Sequence, residues 1–210
     1  MFSLPQITHP NPTGWPREEL EETVRRWLEA NQRSEGSKDW AHLAPLYTDD
    51  AVYLWTVGPG EEFVARGKKQ IEEWAVGEQM AGFEGWKYPY QQVLIDEKQG
   101  QVVGFWKQVS PFTRPDGSTI EVAGIGGSWF KYGGNYKWCW QRDFFDLMSV
   151  FAAFSEISAQ GNLSDPLKKK LYTVARGRPL AGHERLRPKP GVGDRLKQGA
   201  AMAKVVLFGK

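Results

Sequence analysis

From Lys87 onwards the sequence abandons helical spacing for alternation, and this change constrains the fold more than any other feature. Segments near 88–96, 101–110, 119–131 and 136–145 are rich in aromatic and β-branched residues. Asp96-Glu-Lys-Gln-Gly100, Arg114-Pro-Asp-Gly117 and Tyr132-Gly-Gly-Asn135 separate them. Such separators turn a chain back on itself, so the spacing predicts four strands in an antiparallel meander. In the last segment, alternation sets Cys139, Gln141, Asp143 and Phe145 on one face and Trp138, Trp140, Arg142 and Phe144 on the other. An acid set among aromatic side chains is costly to desolvate, and it must be hydrogen-bonded, paired or shifted towards protonation. Asp143 is therefore a candidate base in an apolar pocket. The alternative is an Arg142–Asp143 pair that only orders the strand end.

Before Lys87 the periods are helical. Pro16 suits a first helical position, Glu18 and Glu19 suit the positive end of a helix, and Leu20, Val24, Trp27 and Leu28 recur on one face through about Asn31. A second short helix is expected after Ser37, burying Trp40, Leu43, Leu46 and Tyr47. A strand Ala51–Trp55 follows, broken by Gly58-Pro-Gly60. Gly67 precedes a third helix with Ile71, Trp74 and Ala75 inward. After the meander, Leu147, Val150, Phe151, Phe154 and Ile157 mark a closing helix, and Ser164-Asp-Pro166 opens another through about Val174. A weak final helix is expected over Asp194–Leu207. Helix, helix, strand, helix and meander make an α+β layout. A strongly bent sheet around a long helix would enclose a conical cavity, with alternate strand residues pointing into it.

The charge is divided unevenly. Residues 160–210 hold 12 Lys/Arg against 3 Asp/Glu, and residues 1–159 hold 15 against 22. This predicts a compact acidic body at 16–159, an N-terminal arm at 1–15 and a basic extension at 160–210. Phe2–Ile7 is expected to strap across a neighbour, and the basic tail to be a solvated face with the acidic body or a second subunit as the surface it could lie against. Ten Trp and eleven Phe are enough to line an apolar site for flat organic molecules as well as to fill a core. The single Cys139 excludes an intrachain disulfide and fits a reducing cytoplasm. His9, His42 and His183 have no metal-ligand spacing. No apolar run is long enough to span a bilayer and the start lacks a signal-peptide pattern, so a cytoplasmic location with no membrane partner is expected. Lys168-Lys-Lys170 lacks the interleaved aromatics of a single-strand binder, which excludes a nucleic-acid reading. Ala123-Gly-Ile-Gly-Gly-Ser128 runs into a strand rather than a helix, which excludes a phosphate loop; its glycines allow a bend or make room for a ligand.

The order of elements, with Tyr47-Thr-Asp-Asp-Ala-Val-Tyr53 after the second helix and Trp140-Gln-Arg-Asp-Phe-Phe-Asp146 at the sheet's end, resembles the nuclear-transport-factor-2-like superfamily. Within it, residues 16–159 look most like the SnoaL-like branch of polyketide cyclases, ketosteroid isomerases and limonene-epoxide hydrolases. The resemblance implies a cone, a homodimer, and a reaction needing no metal or organic cofactor. In the epoxide hydrolases the equivalent of Asp143 is an acid and that of Tyr53 a tyrosine. Their asparagine falls on Trp55, and their arginine and second aspartate on Trp106 and Gln108, so half of that relay is missing. In the ketosteroid isomerases the catalytic aspartate falls near Trp55 and the oxyanion-hole aspartate near Gly126. The polyketide cyclases use an acid near the sheet's end, where Asp143 lies. The expected site is thus Asp143 as base and Tyr53 as donor, with Trp55, Trp106, Gln108, Gln141, Gly126, Phe145 and a second acid, Glu121, around the ligand. The substrate class is a small hydrophobic terpenoid, steroid or polyketide-like molecule. A non-catalytic binding or protein-interaction module of the same fold is the alternative, since one cone serves many functions.

Overall fold

A computed structural model describes residues 14–208 except 59, 187, 189 and 190; the expected strap at Phe2–Ile7 lies outside them. Helix α1 (Arg17–Ser37) buries Leu20, Thr23, Trp27, Ala30, Asn31 and Ser34, the three-to-four spacing that puts residues on one helical face. It runs six residues beyond the expected end and stops at Lys38, which takes a left-handed conformation (φ 60°). A 3-10 turn (Trp40–Leu46) then buries Trp40 and Leu43. Tyr47, expected on that turn, instead opens β1 (Tyr47–Gly58), which pairs antiparallel with β2 (Glu61–Arg66). The hydrophobic pattern alone does not reveal β2, because Phe63, Val64 and Ala65 are consecutive and buried on both faces. Helix α2 (Lys68–Gln70) continues into a π-helical segment, Ile71–Glu78, with Ile71, Ala75 and Val76 buried.

The meander is present in the main sheet as β3 (Tyr90–Asp96), β4 (Gln101–Trp106), β7 (Gly126–Tyr132) and β8 (Trp138–Phe144). Its order is β3-β4-β7-β8-β1-β2-β9, antiparallel throughout except where β8 meets β1. Arg114–Gly117 does not link neighbouring strands of this sheet. It turns a separate hairpin, β5 (Val109–Thr113) and β6 (Thr119–Glu121). The short β9 (His183–Arg185), in a stretch expected to be irregular, adds to the edge at β2. This is the cone-shaped α+β fold that the resemblance implies, a bent sheet wrapped around α1.

Among the described residues two large cores fill the body, and a minor third cluster of Leu54, Val64 and Trp140 lies on the outer face of the sheet. The larger joins α1, the 3-10 turn and the inner face of the sheet, including Tyr47, Ala51, Phe130 and Trp138. The smaller packs the β5–β6 hairpin against α3 (Leu147–Ala159) and α4 (Asp165–Ala175), through Trp86, Ile120, Phe154, Ile157 and Leu167. The first part of the basic extension thus shares a core with the cone. Lys170 fastens it further, donating to the carbonyls of Gln79 (2.8 Å) and Ala81 (2.7 Å). Burial lowers the Lys170 pKa to about 8. Helix α5 (Val192–Phe208) is exposed along residues 192–207. No helix among the described residues is long and apolar enough to cross a membrane.

Strict alternation fails at one point in β8. Lys131 faces Trp140 but Tyr132 faces Trp138, so Cys139 is an extra residue in the register. This bulge turns Trp138 into the larger core, on the same side as Gln141 and Asp143, and leaves Cys139 with Trp140 and Leu54 on the outer face. Cys139 therefore does not share the face of Asp143.

Candidate active site

A cavity of about 210 Å³ opens between the inner face of the sheet, the π-helical segment and α3. That is many times the ~10–15 Å³ that one water needs. Helix α1 lies along the cone. Its N-terminal end is tied to the β7–β8 turn by Tyr132 and Glu19 and through an Arg26–Tyr136 cation–π contact. At the other end Glu35 accepts from the Tyr88 N–H (2.6 Å). Asp143 lies towards this second end, where β8 gives way to α3. The π-helical segment and the turn after it face the sheet and present Ala75, Val76, Gln79 and Met80. Such segments recur at functional sites.

Asp143 is held by three donors. Its Oδ2 accepts from the Tyr53 hydroxyl (2.5 Å), and its Oδ1 accepts from Ser128 Oγ (2.6 Å) and Gln141 Nε2 (2.7 Å). Two of these donors, Ser128 and Gln141, are themselves oriented. Trp106 Nε1 donates to Ser128 Oγ (2.9 Å), and Tyr47, fully buried, donates to Gln141 Oε1. Trp27 Nε1 donates to Tyr90 Oη (2.7 Å) and Gln108 Nε2 to Tyr88 Oη (3.2 Å). β8, β1 and β7 are neighbours in the sheet, which is why Asp143, Tyr53 and Ser128 converge. Asp143 is directly opposite Ser128 in the register.

Desolvation raises the Asp143 pKa above the usual carboxylate value; the hydrogen bonds from Gln141, Ser128 and Tyr53 pull the other way without cancelling it. Burial, with the Asp143 charge adding to it, holds Tyr47 and Tyr53 well above the usual phenol value, so both are donors at neutral pH. Arg142 does not pair with Asp143. It points to the opposite face and donates to Glu62 (2.6 Å) and Thr56 (3.3 Å).

Tyr53, Trp55, Trp106, Gln108, Gln141, Asp143 and Phe145 all line the cavity. Two expected site residues do not. Glu121 is exposed on β6 and pairs with Lys107 (3.1 Å). Gly126 clears space for Trp106 rather than for a ligand, because a Cβ there would come within 2.2 Å of the indole. Ser128 and Tyr47 complete the network without being distinguishable from the sequence alone. Ser128 does stand two residues beyond Gly126, followed by Phe130 and Tyr132 at the alternating inward positions, and that spacing was its only signal. Among the described residues no three His, Cys, Asp or Glu side chains gather as a metal cluster.

No family model and no curated protein matches the sequence. Solved structures do. A phenazine biosynthesis-related protein from Pseudomonas aeruginosa superposes with a TM-score of 0.50 at 17% identity, over 67% of this chain and 92% of that one. An NTF2-like protein from Anabaena variabilis gives 0.48 at 17% identity, over 62% and 91%. An LEH-like epoxide hydrolase from M. tuberculosis gives 0.46 at 15% identity, over 76% and 97%. At 17% identity the first of these likenesses bears on the fold alone and leaves the chemistry to the residues of the site.

Proposed function

We propose that the cavity holds a small, largely hydrophobic ring-bearing molecule, of terpenoid, steroid or polyketide-like character, and that Asp143 acts on it as a general base without a metal or organic cofactor. The observation that carries this reading is a desolvated carboxylate in an aromatic cavity with no cation among the described residues that line it. An ionised carboxyl group offers about four lone-pair positions. Ser128 and Gln141 occupy those of Oδ1, whereas Oδ2 accepts only from Tyr53. Oδ2 therefore keeps one lone pair for a substrate proton. A raised pKa strengthens the base and lets the resulting acid return the proton elsewhere on the substrate, which is the requirement of isomerisation, cyclisation or dehydration. Tyr53 has a single hydroxyl proton, which orients Oδ2 in the resting site; once Oδ2 has taken the substrate proton, that hydroxyl is released to donate to the developing oxyanion. Epoxide hydrolysis is the least supported of the reactions compatible with the fold. It needs an acid beside the base, and Trp55, Trp106 and Gln108 stand where the rest of that relay would be.

The test is conversion of a panel of steroids, epoxides and polyketides by the wild-type protein and Asp143→Asn. Loss of turnover with fold and ligand affinity retained supports the base; equal conversion excludes it. If no member is converted by either protein but ligands bind, the cone is a carrier. That reading has its own support in a lining with a single carboxyl group among the described residues. We further propose a homodimer through the outer face of the sheet, where Leu94 and Phe144 are about half-exposed beside Phe105. A monomeric mass in sedimentation would overturn it.

A further inference from the structure

We propose that the molecule taken by this cavity carries a positive charge, in the form of an organic ammonium group attached to an apolar ring. The inference rests on reading the cavity as a small-molecule site, and it narrows the class of that molecule. Among the described residues the lining holds one carboxylate and no Lys, Arg or His. The cations on the strands nearest Asp143 and Trp106 are turned away from the cavity, and Lys87, next to Tyr88, is exposed. Arg142 is bound to Glu62 on the outer face, Lys107 pairs with Glu121 outside the cavity, and Lys131 sits 4.7 Å from the Trp140 ring centroid on the outer face. The groups that face Asp143 from β1, β3 and β8, and from the chain leading into β3, are Tyr53, Tyr47, Tyr90, Gln141 and Tyr88, all neutral at physiological pH. The protein thus desolvates an acid and leaves its charge without a partner. A bound cation would supply it.

The walls are suited to the same guest. Trp40 and Tyr88 meet at 5.1 Å and 87°, Tyr88 and Trp106 at 5.7 Å and 77°, and Tyr53 and Trp55 at 5.2 Å and 63°. Rings set at 63–87° to one another form the corners of a box, offering a cation more than one face. An anion would meet Asp143 and those same ring faces, and both repel it. The body around the cavity, residues 16–159, adds an acidic balance of 15 Lys/Arg against 22 Asp/Glu, which favours the approach of cations over anions.

Three probes of similar shape separate the possibilities: benzyltrimethylammonium, its uncharged isostere neopentylbenzene, and phenylacetate. With the full chain and titration calorimetry, the cation should bind about tenfold more tightly than the neutral isostere, and phenylacetate should not bind at millimolar concentration. In Asp143→Asn the cation's advantage should fall to near parity while the neutral probe is unaffected. Because the quaternary ammonium has no proton to lose, its affinity for the wild-type protein should rise with pH as Asp143 ionises. This readout needs no variant. A neutral probe that binds as well as the cation, a cation preference that survives Asp143→Asn, or no cation binding at any pH would overturn the proposal. The outcome is separable from the catalytic one. Cation preference without turnover leaves the charge assignment standing and removes the base. Turnover that depends on Asp143, with a neutral preference, does the reverse.

Discussion

The two faces of strand β8 solve the same problem in opposite ways. Arg142 and Asp143 are adjacent, both charged and both largely withdrawn from water. On the outer face Arg142 meets Glu62 at 2.6 Å, and the pair neutralises itself. On the inner face Asp143 has only neutral donors, and its pKa is raised. A compensated pair holds strands together. An uncompensated acid facing a void has no structural justification of comparable strength, since apolar residues would pack there at less cost. The contrast teaches that a buried charge is informative about function only after its partners are known.

The largest effect that would sharpen this contrast is on chemistry. Asp143→Asn should lower turnover by roughly 10²–10⁴-fold, the range for loss of a general base, with an unchanged circular dichroism spectrum. The outer-face counterpart is Arg142→Leu, which strands Glu62. It should destabilise the protein by roughly 3 kcal/mol in denaturant titration while leaving per-molecule turnover intact. If Arg142→Leu instead abolished turnover at full stability, the division between the faces would be broken. Next in size is Gly126→Ala, whose methyl group meets the Trp106 ring. It should cost about 1–3 kcal/mol and, by displacing the indole from Ser128, shift the pH profile of activity.

The pH dependence separates the faces again. The Asp143 pKa is raised on folding, so the native state binds the proton more tightly than the unfolded chain does. Its contribution to stability is therefore present below the ordinary carboxylate pKa and is lost as pH rises towards the raised value. Activity that uses the ionised form increases over the same interval. Asp143→Asn should flatten that part of the stability curve, as measured by thermal melts across pH. The smallest effect is expected at Lys131, an outer-face ammonium over Trp140 whose pKa burial lowers. Lys131→Met should change stability by less than about 1 kcal/mol, because the lost cation–π contact and the relieved desolvation oppose each other.

Much of the inner wall was legible from local pattern. Tyr53 and Trp55 on β1, and Gln141 and Asp143 on β8, face one way because a strand alternates. The helical spacing of Leu20 and Trp27 likewise marked the side of α1 that meets them. Legibility ended where the backbone broke its own period or a partner came from elsewhere in the chain. The bulge at Cys139 moved Trp138 to the inner core, and the hairpin turn at Arg114–Gly117 belonged to a separate sheet. Glu121 looked like a second acid near the site and proved to be an exposed partner of Lys107.

What the sequence determined by itself was the kind of architecture and the presence of an acid on an aromatic strand. Both follow from periodicity and from the cost of placing a carboxylate among rings, and these are local properties. Only the tertiary structure decided that Arg142 turns away to Glu62, that Tyr53 and Ser128 close on Asp143, and that a void is left before it. These depend on which strands become neighbours and on how the sheet bends. Residues 53, 128 and 143 meet because β1 and β7 flank β8, and nothing within any one of those strands dictates that.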